Sequence, residues 1–172
     1  EGKIMKYKIS DPLNLYNLLE EKKELLDKIF PSIRDIYQTS SKELQVEVYK
    51  GKEGMKSAFK DMVRVGETMY AFGVRGQLRE KMPVFAEQWL RDVKNKKMKY
   101  YAIYTKRYAP SYYTEIKYVS EELNGPVATF IYGDKININI WEPDLIAIVI
   151  KSKLVADMYK KHFNLLWKIA KK

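Results

Sequence analysis

LQVEVYKGKEGMKSAFKDMVRVGETMYAFG, residues 44–73, reads as strand, turn, helix and strand in succession. Apolar and polar residues alternate over Leu44–Tyr49, a period of two that suits a half-buried strand. Lys50-Gly51-Lys52-Glu53-Gly54 supplies the turn. From about Glu53 to Val65 the apolar residues Met55, Phe59, Met62 and Val63 return at helical spacing, and Thr68–Gly73 is again strand-like. The pattern then repeats. Gln77 to about Lys94 is helical, with Leu78, Phe85, Trp89, Leu90 and Val93 as its apolar positions and Pro83 dividing it. Met98–Tyr104 (MKYYAIY) is a third strand. This βαβαβ order predicts a parallel sheet with right-handed crossovers.

Downstream the chain is strand-rich. Thr114–Val119 reads as a strand, and Gly125-Pro126 as a turn. Val127–Tyr132 and Lys135–Trp141 flank Gly133-Asp134 and read as a hairpin, the second arm alternating through Ile136, Ile138 and Ile140. Leu145–Ile150 (LIAIVI) is continuously apolar, which predicts a strand covered on both faces. From Ser152 a basic amphipathic helix runs to the end, with Leu154, Val155, Met158, Phe163, Leu166, Trp167 and Ile169 expected inward.

Upstream, residues 3–9 alternate and suit a short strand. Asp11 can then cap a helix whose first position is Pro12. The helix extends to about Ser40. Leu15, Leu18, Leu25, Ile29 and Ile36 form a seam interrupted by Lys22 and Ser32, beside a second stripe of Leu19, Leu26, Phe30, Ile33 and Tyr37. Pro31 is expected to kink the helix or start a new one. Unbroken, 28 residues would span about 42 Å. Two readings stand side by side: a linker or dimerisation helix, or an ordinary helix packed on this domain. The expected organisation is therefore a strand and helix over 1–40 and an α/β domain over 41–172.

The chain has 172 residues, 46% hydrophobic and 13% aromatic, enough to fill a core without staples. It has no cysteine, which excludes disulfides, iron–sulfur clusters and thiol catalysis. A single histidine, His162, excludes multi-histidine metal sites, and it is expected to be a partly buried structural residue. No cofactor is expected. No apolar run is long enough to span a membrane and no secretory signal is visible, so a cytoplasmic location is the default. The chain begins at Glu1, which suggests that a longer protein continues upstream.

The net charge is +10. Residues 1–40 carry seven bases and seven acids, so the excess lies beyond them. It concentrates in 75–107, with ten bases and three acids, and in 151–172, with seven bases and one acid. Such excess suits a polyanion partner, and equally an ordinary lysine-rich surface. There is no phosphate-binding loop, only glycine pairs at Gly51/Gly54 and Gly73/Gly76. The carboxylates make no acid/base pair at sequence level. Tyr100, Tyr101, Tyr104, Tyr108, Tyr112 and Tyr113, with Lys106 and Arg107, could wall a polar pocket or stack on bases, or fill a core and interface.

Three stretches in order carry a resemblance: VEVYKGKEGMKSAFKDM at 46–62, FIYGDKININIWEPDLIAIVI at 130–150 and FNLLW at 163–167, after Asp11-Pro12 opening a helix. The chain resembles the C-terminal effector domain of the TrmB family of archaeal transcriptional regulators. That resemblance implies a phospholipase D-like fold, a helical dimerisation element, and DNA binding only through an upstream winged helix-turn-helix absent from this chain. Active phospholipase D relatives use His-x-Lys-x4-Asp. With Asp134 at the aspartate, Val127 and Thr129 stand at the histidine and lysine positions, so the nucleophile is missing.

The sequence therefore predicts an α/β chain: a parallel-rich mixed sheet flanked by helices, preceded by a long N-terminal linker or dimerisation helix. The expected function is non-catalytic effector sensing and dimerisation in a TrmB-like regulator, acting as a homodimer without membrane contact. Open α/β sheets bind ligands beyond the carboxyl ends of their strands. That places the ligand site at Lys50, Lys52, Gly73, Arg75, Thr105, Lys106 and Arg107, suited to a small anionic effector; a sugar effector is possible within the family. The dimerisation seam would be Leu15, Leu18, Leu25, Ile29 and Ile36. The alternative is a stand-alone nucleic-acid-binding module using the basic stretches.

Overall fold

A computed structural model describes residues 11–40, 44–105, 114–123 and 125–171, and their side chains except at 35–40, 114 and 123. The expected strand at 3–9 lies outside these. The chain divides into two compact units, Glu1–Glu43 and Leu44–Lys172.

The first unit holds α1 (Leu13–Ser40), a single helix of 28 residues with Pro31 inside it. The N–H of Leu13 donates to Asp11 Oδ1 at 3.0 Å, satisfying one free first-turn amide. Leu15, Leu18, Leu25 and Ile29 of the seam are exposed, as are Leu19, Leu26, Phe30 and Ile33 of the second stripe. Ile36 lies in the helix, its side chain outside the described set.

The second unit is built on seven strands in the order β1-β7-β6-β5-β2-β3-β4. They are β1 (Gln45–Lys50), β2 (Met69–Val74), β3 (Tyr100–Tyr104), β4 (Thr114–Tyr118), β5 (Val127–Tyr132), β6 (Lys135–Ile140) and β7 (Ile146–Lys151). The helices are α2 (Gly51–Val65), α3 (Gln77–Lys81), α4 (Pro83–Asn95) and α5 (Lys153–Ile169). The sheet is mixed and flanked by helices. β2, β3 and β4 are parallel neighbours. The other four pairings are antiparallel. The parallel pairing expected between the first two strands of the βαβαβ run does not form. β1 lies at the sheet edge, and β7, β6 and β5 stand between it and β2. All of β1 to β4 still run in one direction, because four antiparallel steps separate β1 from β2. Local patterning fixes the direction of a crossover but not how many strands it spans.

One face of the sheet is covered by α2 and α4. Met55, Phe59 and Met62 pack there with Phe85, Trp89 and Val93 and with Ala71, Ala102 and Phe130 of the strands. The Phe59 ring meets Trp89 edge-on at 5.2 Å and Phe130 at 5.4 Å. The Trp89 Nε1–H donates to the Phe59 carbonyl oxygen at 2.9 Å, tying α4 to α2. Burying each such side chain contributes about 1.5–3 kcal/mol. α3 and α4 break at Met82, and Pro83 opens α4, where its missing N–H costs nothing.

The other face is covered by α5. Phe163 is buried against Ile103, Ile131 and Ile136, with its ring 5.2 Å from Tyr70. Ser152 caps the helix by accepting from the Val155 N–H. Val155, Leu166 and Trp167 face the sheet as expected, but Leu154, Met158 and Ile169 point outward. The helix settles on the phase that buries Ala156, Phe163 and Ala170. Its remaining apolar positions, with Leu165, form a second exposed stripe. β7 is only half covered. Ala147 and Val149 are buried, while Ile146, Ile148 and Ile150 on the opposite face are partly open. His162 is exposed on α5, not partly buried.

Candidate functional site

The carboxyl ends of β2 and β3 lie side by side, with Val74 paired to Tyr104. Gly73 bends the end of β2. Its φ is +73°, and a Cβ there would meet the Val127 carbonyl oxygen at 2.6 Å, so the close approach of β2 to β5 admits only glycine. Beyond it the chain folds over a buried amide. Gln77, 1% exposed, accepts from the Arg75 backbone N–H at 2.8 Å and donates from Nε2 to the Gly73 carbonyl oxygen at 3.1 Å. This clasp fixes Arg75 just beyond the carboxyl end of β2. Its Nη2 donates to Glu142 Oε1 at 3.3 Å, and Lys81 Nζ stands 3.6 Å from the same oxygen. Two cations thus share one carboxylate, and the buried Arg75 Nε has no partner.

Beside this cluster is a cavity of about 60 Å3, room for a few water molecules. It lies between the sheet and the α3–α4 pair. Phe59, Trp89, Tyr100, Tyr104, Phe130 and Trp141 supply its aromatic wall. Gly76, Ala86 and Ala128 also line it, and their small side chains leave the space that the large rings do not fill. Burial pushes the Tyr100 hydroxyl's pKa well above the ordinary tyrosine value. The wall is predominantly apolar, with Gln77 and Arg79 as its polar side chains beside the two tyrosines. Arg79 is engaged with Glu87 at 2.8 Å.

The expected site residues are placed unevenly. Gly73, Arg75 and Thr105 come together; the Thr105 N–H donates to the Val74 carbonyl oxygen at 3.2 Å. Lys50 ends β1, four strand spacings from β2, or about 19 Å at roughly 4.8 Å per spacing. Lys52 instead borders an open groove of about 330 Å3 with Lys56, Lys81 and Phe85. Lys106 and Arg107 lie outside the described residues, as do Tyr108, Tyr112 and Tyr113. Tyr100 and Tyr104 are buried in the core.

A second polar centre was not expected from the sequence. Asp61 on α2 is 9% exposed. It accepts from Lys135 Nζ at 2.7 Å, from the Tyr132 hydroxyl at 2.9 Å, and from Arg64. Burial raises its carboxyl pKa, but these three donors outweigh burial and hold it below the ordinary value. Burial first, and then Asp61, push the Tyr132 hydroxyl's pKa far up. The network joins α2 to the β5–β6 hairpin. Its sequence signal was an aspartate on the apolar side of a helix, next to Met62. Asn137 and Asn139 were also missed. Both are fully buried on β6, and neither amide has a hydrogen-bond partner. The alternation of Ile136, Ile138 and Ile140 assigns them no environment by itself. β6 is an interior strand with helices over both faces.

Three solved structures share this architecture. TrmBL2, an archaeal chromatin protein with a novel mode of DNA binding, matches 99% of this chain and 74% of its own length, with TM-score 0.53 and 16% identity. NucT from Helicobacter pylori matches 74% of this chain and 98% of its own, with TM-score 0.54 and 8% identity. Nuc from Salmonella typhimurium, a phospholipase D family member, matches 75% of this chain and 97% of its own, with TM-score 0.52 and 13% identity. The chain has a phospholipase D-like fold. The TrmB-like resemblance in the sequence agrees with it, since TrmBL2 shares the fold over nearly the whole chain. No protein-family model and no curated protein matches the sequence. Within this fold Val127 opens β5 at an exposed position, Thr129 is buried two residues on, and Asp134 sits in the β5–β6 turn. Among the described residues no helix is long and apolar enough to cross a membrane, and no acidic or histidine cluster could hold a metal.

Proposed function

We propose that this chain is the non-catalytic effector-sensing and dimerisation part of a TrmB-like transcriptional regulator, with DNA read by an upstream domain. The observation that carries this reading is α1. Its two stripes expose eight large apolar side chains along one helix, in a chain whose TrmBL2 likeness extends over 99% of its length. A helix this apolar is stable in water when a partner covers it. A second copy is the economical partner, because a two-fold pair would set the spacing of two DNA-binding domains. An effector acts by favouring one dimer geometry over another. Gly73, Arg75 and Thr105, with Lys81 nearby, are its proposed contacts, on a cytoplasmic protein. Val127 and Thr129 in place of a histidine nucleophile and its lysine support the non-catalytic part. Light scattering on the whole chain and on residues 44–172 tests the reading. A dimer that becomes a monomer on truncation supports it; a whole chain that is monomeric defeats it.

A second reading is favoured by one observation, the basic surface. Arg91, Lys94, Lys96, Lys97 and Lys99 are exposed around the end of α4, and Lys161 and Lys168 are exposed on α5. TrmBL2 is itself a DNA-binding protein. As a nucleic-acid module this chain would bind duplex DNA with a steep salt dependence. An anisotropy titration at low salt that shows no binding removes this reading.

A further inference from the structure

We propose that the free edge of β1 pairs antiparallel with the same edge of a second copy of this chain, about a two-fold axis through Val48. The proposal adds a second contact to the regulator reading, and it rests on that reading only for its strength.

The phase of the ladder fixes which backbone groups face outward. β1 ends the sheet, with β7 as its neighbour in unbroken register. The Gly51 N–H donates to the Leu145 carbonyl oxygen at 2.8 Å. Such pairs recur at every second residue of an antiparallel ladder, so Gln45, Glu47 and Tyr49 turn their backbone groups to β7. The Ser152 N–H, which donates to the Asp134 carbonyl oxygen at 2.8 Å, gives the same phase from the far side of β7. It assigns Ile146, Ile148 and Ile150 to β6 and leaves Ala147 and Val149 for β1. The N–H groups of Val46, Val48 and Lys50, and the C=O groups of the two valines, therefore point off the sheet. Lys50 caps α2, so its own C=O serves the first turn of that helix. The opposite edge of the sheet differs: on β4, Tyr118 exchanges two backbone bonds with Lys171, at 2.7 and 2.9 Å. β1 has no proline or bulge to block pairing, and its Val46 and Val48 are 54% and 56% exposed.

The strand is complementary to itself, which selects a second copy over an unrelated segment. An axis through Val48 sets Val48 opposite its own copy, and the two exchange both backbone bonds. Each Lys50 N–H then donates to the second copy's Val46 carbonyl oxygen. The valine side chains meet on one face, with Val46 against the apolar stem of the second copy's Lys50. On the other face each Glu47 stands opposite the second copy's Tyr49, a residue whose hydroxyl already donates to Glu47 in its own strand. Moving the axis to Glu47 would set two carboxylates directly opposite in the closer kind of pair, which is unfavourable. Moving it to Tyr49 would run Val46 against Lys52, which is already in α2. So short an edge buries far less than the roughly 800 Å2 per partner of a stable complex. It closes once α1 has brought two chains together, because β1 begins at Gln45, soon after α1 ends at Ser40, and such a tether gives a millimolar effective concentration. Residues 44–172 alone stay monomeric at micromolar concentration.

The chain has no cysteine, so one introduced thiol reports one position. The test oxidises the whole chain carrying Val48→Cys, or separately Val46→Cys, with glutathione disulfide and follows the covalent dimer by non-reducing electrophoresis. In the proposed pair the two Cα atoms at position 48 lie about 5.5 Å apart, within disulfide range. Those at position 46 lie about 14 Å apart, beyond it. Val48→Cys should cross-link at least tenfold faster than Val46→Cys. Equal rates, a faster Val46→Cys, or no covalent dimer from either would overturn the proposal. Amide exchange on the unmodified chain gives a reading that no variant can spoil. The Val48 and Lys50 N–H groups should exchange at least tenfold more slowly in the whole chain than in residues 44–172, and equal rates would overturn the pairing. Solution mass reads α1 separately. A dimer held by α1 without the disulfide at position 48 loses the edge alone. A monomeric chain that still cross-links at 48 in preference to 46 keeps the edge and loses α1.

Discussion

Replacing Asp61 with alanine should destabilise the globular unit by about 3 kcal/mol, the low end for breaking one side of a buried ion pair. The substitution leaves Lys135 and Tyr132 without an acceptor, at side-chain exposures of 17% for the lysine and 0% for the tyrosine residue. An orphaned hydroxyl alone costs about 1–3 kcal/mol. Lys135 can partly reach water, which limits its share. Arg64 is 79% exposed, so losing its bond adds at most about 1 kcal/mol. For a chain of this size, 3 kcal/mol corresponds to a melting temperature lower by roughly 6–12 °C. Calorimetry or urea titration reads this directly. Asp61→Leu with Lys135→Met removes both charges and should recover the lysine's share of the loss, because an apolar replacement of a buried pair is close to neutral, while Tyr132 still lacks its acceptor. The pH dependence follows from the carboxyl pKa, which is held below its ordinary value. The stabilisation is present above about pH 3.9, the unfolded value, and disappears as pH falls through the folded value. Wild type and Asp61→Asn should therefore converge in stability at acid pH. A loss under 1 kcal/mol for Asp61→Ala, or a double variant as unstable as the sum of the singles, would refute the reasoning.

Gly73→Ala should cost at least about 2 kcal/mol, from the left-handed backbone and the collision with Val127 together; a melting temperature within 2 °C of wild type would contradict it. Burial lowers the pKa of Lys160 to about 8, and its Nζ lies against the Tyr70 ring without a hydrogen-bond partner. The unfolded chain then holds more protons between pH 8 and the ordinary lysine value, so stability should rise with pH across that window. Lys160→Met should raise the urea midpoint at pH 7 and flatten the rise, and an unchanged pH slope would disprove the assignment. Asn139→Leu should be neutral or stabilising, since it removes a buried amide with no partner, and a loss above about 2 kcal/mol would mean that the amide is satisfied.

The elements of the second unit were legible because their periodicity is clean. Met55, Phe59 and Met62 recur at helical spacing and are buried, and Pro83 divides α3 from α4 as its missing N–H requires. The sheet order was not legible. It depends on how far α2 carries the chain across the sheet, which no local pattern records. The same limit hid Asn137 and Asn139, whose strand alternates like a half-exposed one yet lies in the interior. On α5 there are two apolar stripes, and only packing decides that Phe163 faces in and Leu154 faces out. At the candidate site, the chain ends of β2 and β3 were anticipated because strand direction followed from the crossovers, so Gly73, Arg75 and Thr105 fell together. Glu142 and Trp141 come from the β6–β7 connection, 67 and 66 residues after Arg75, and only the fold brings them there.

In the proposed dimer α1 holds two copies of this chain together. The direct measurement is the solution mass of the whole chain carrying Leu18→Glu and Leu25→Glu, beside wild type. Both leucines are exposed in the single chain, so the substitutions leave its own core intact. Wild type should weigh twice 20.4 kDa and the variant 20.4 kDa. A wild-type mass of 20.4 kDa, or a dimer indifferent to the two glutamates, would contradict it.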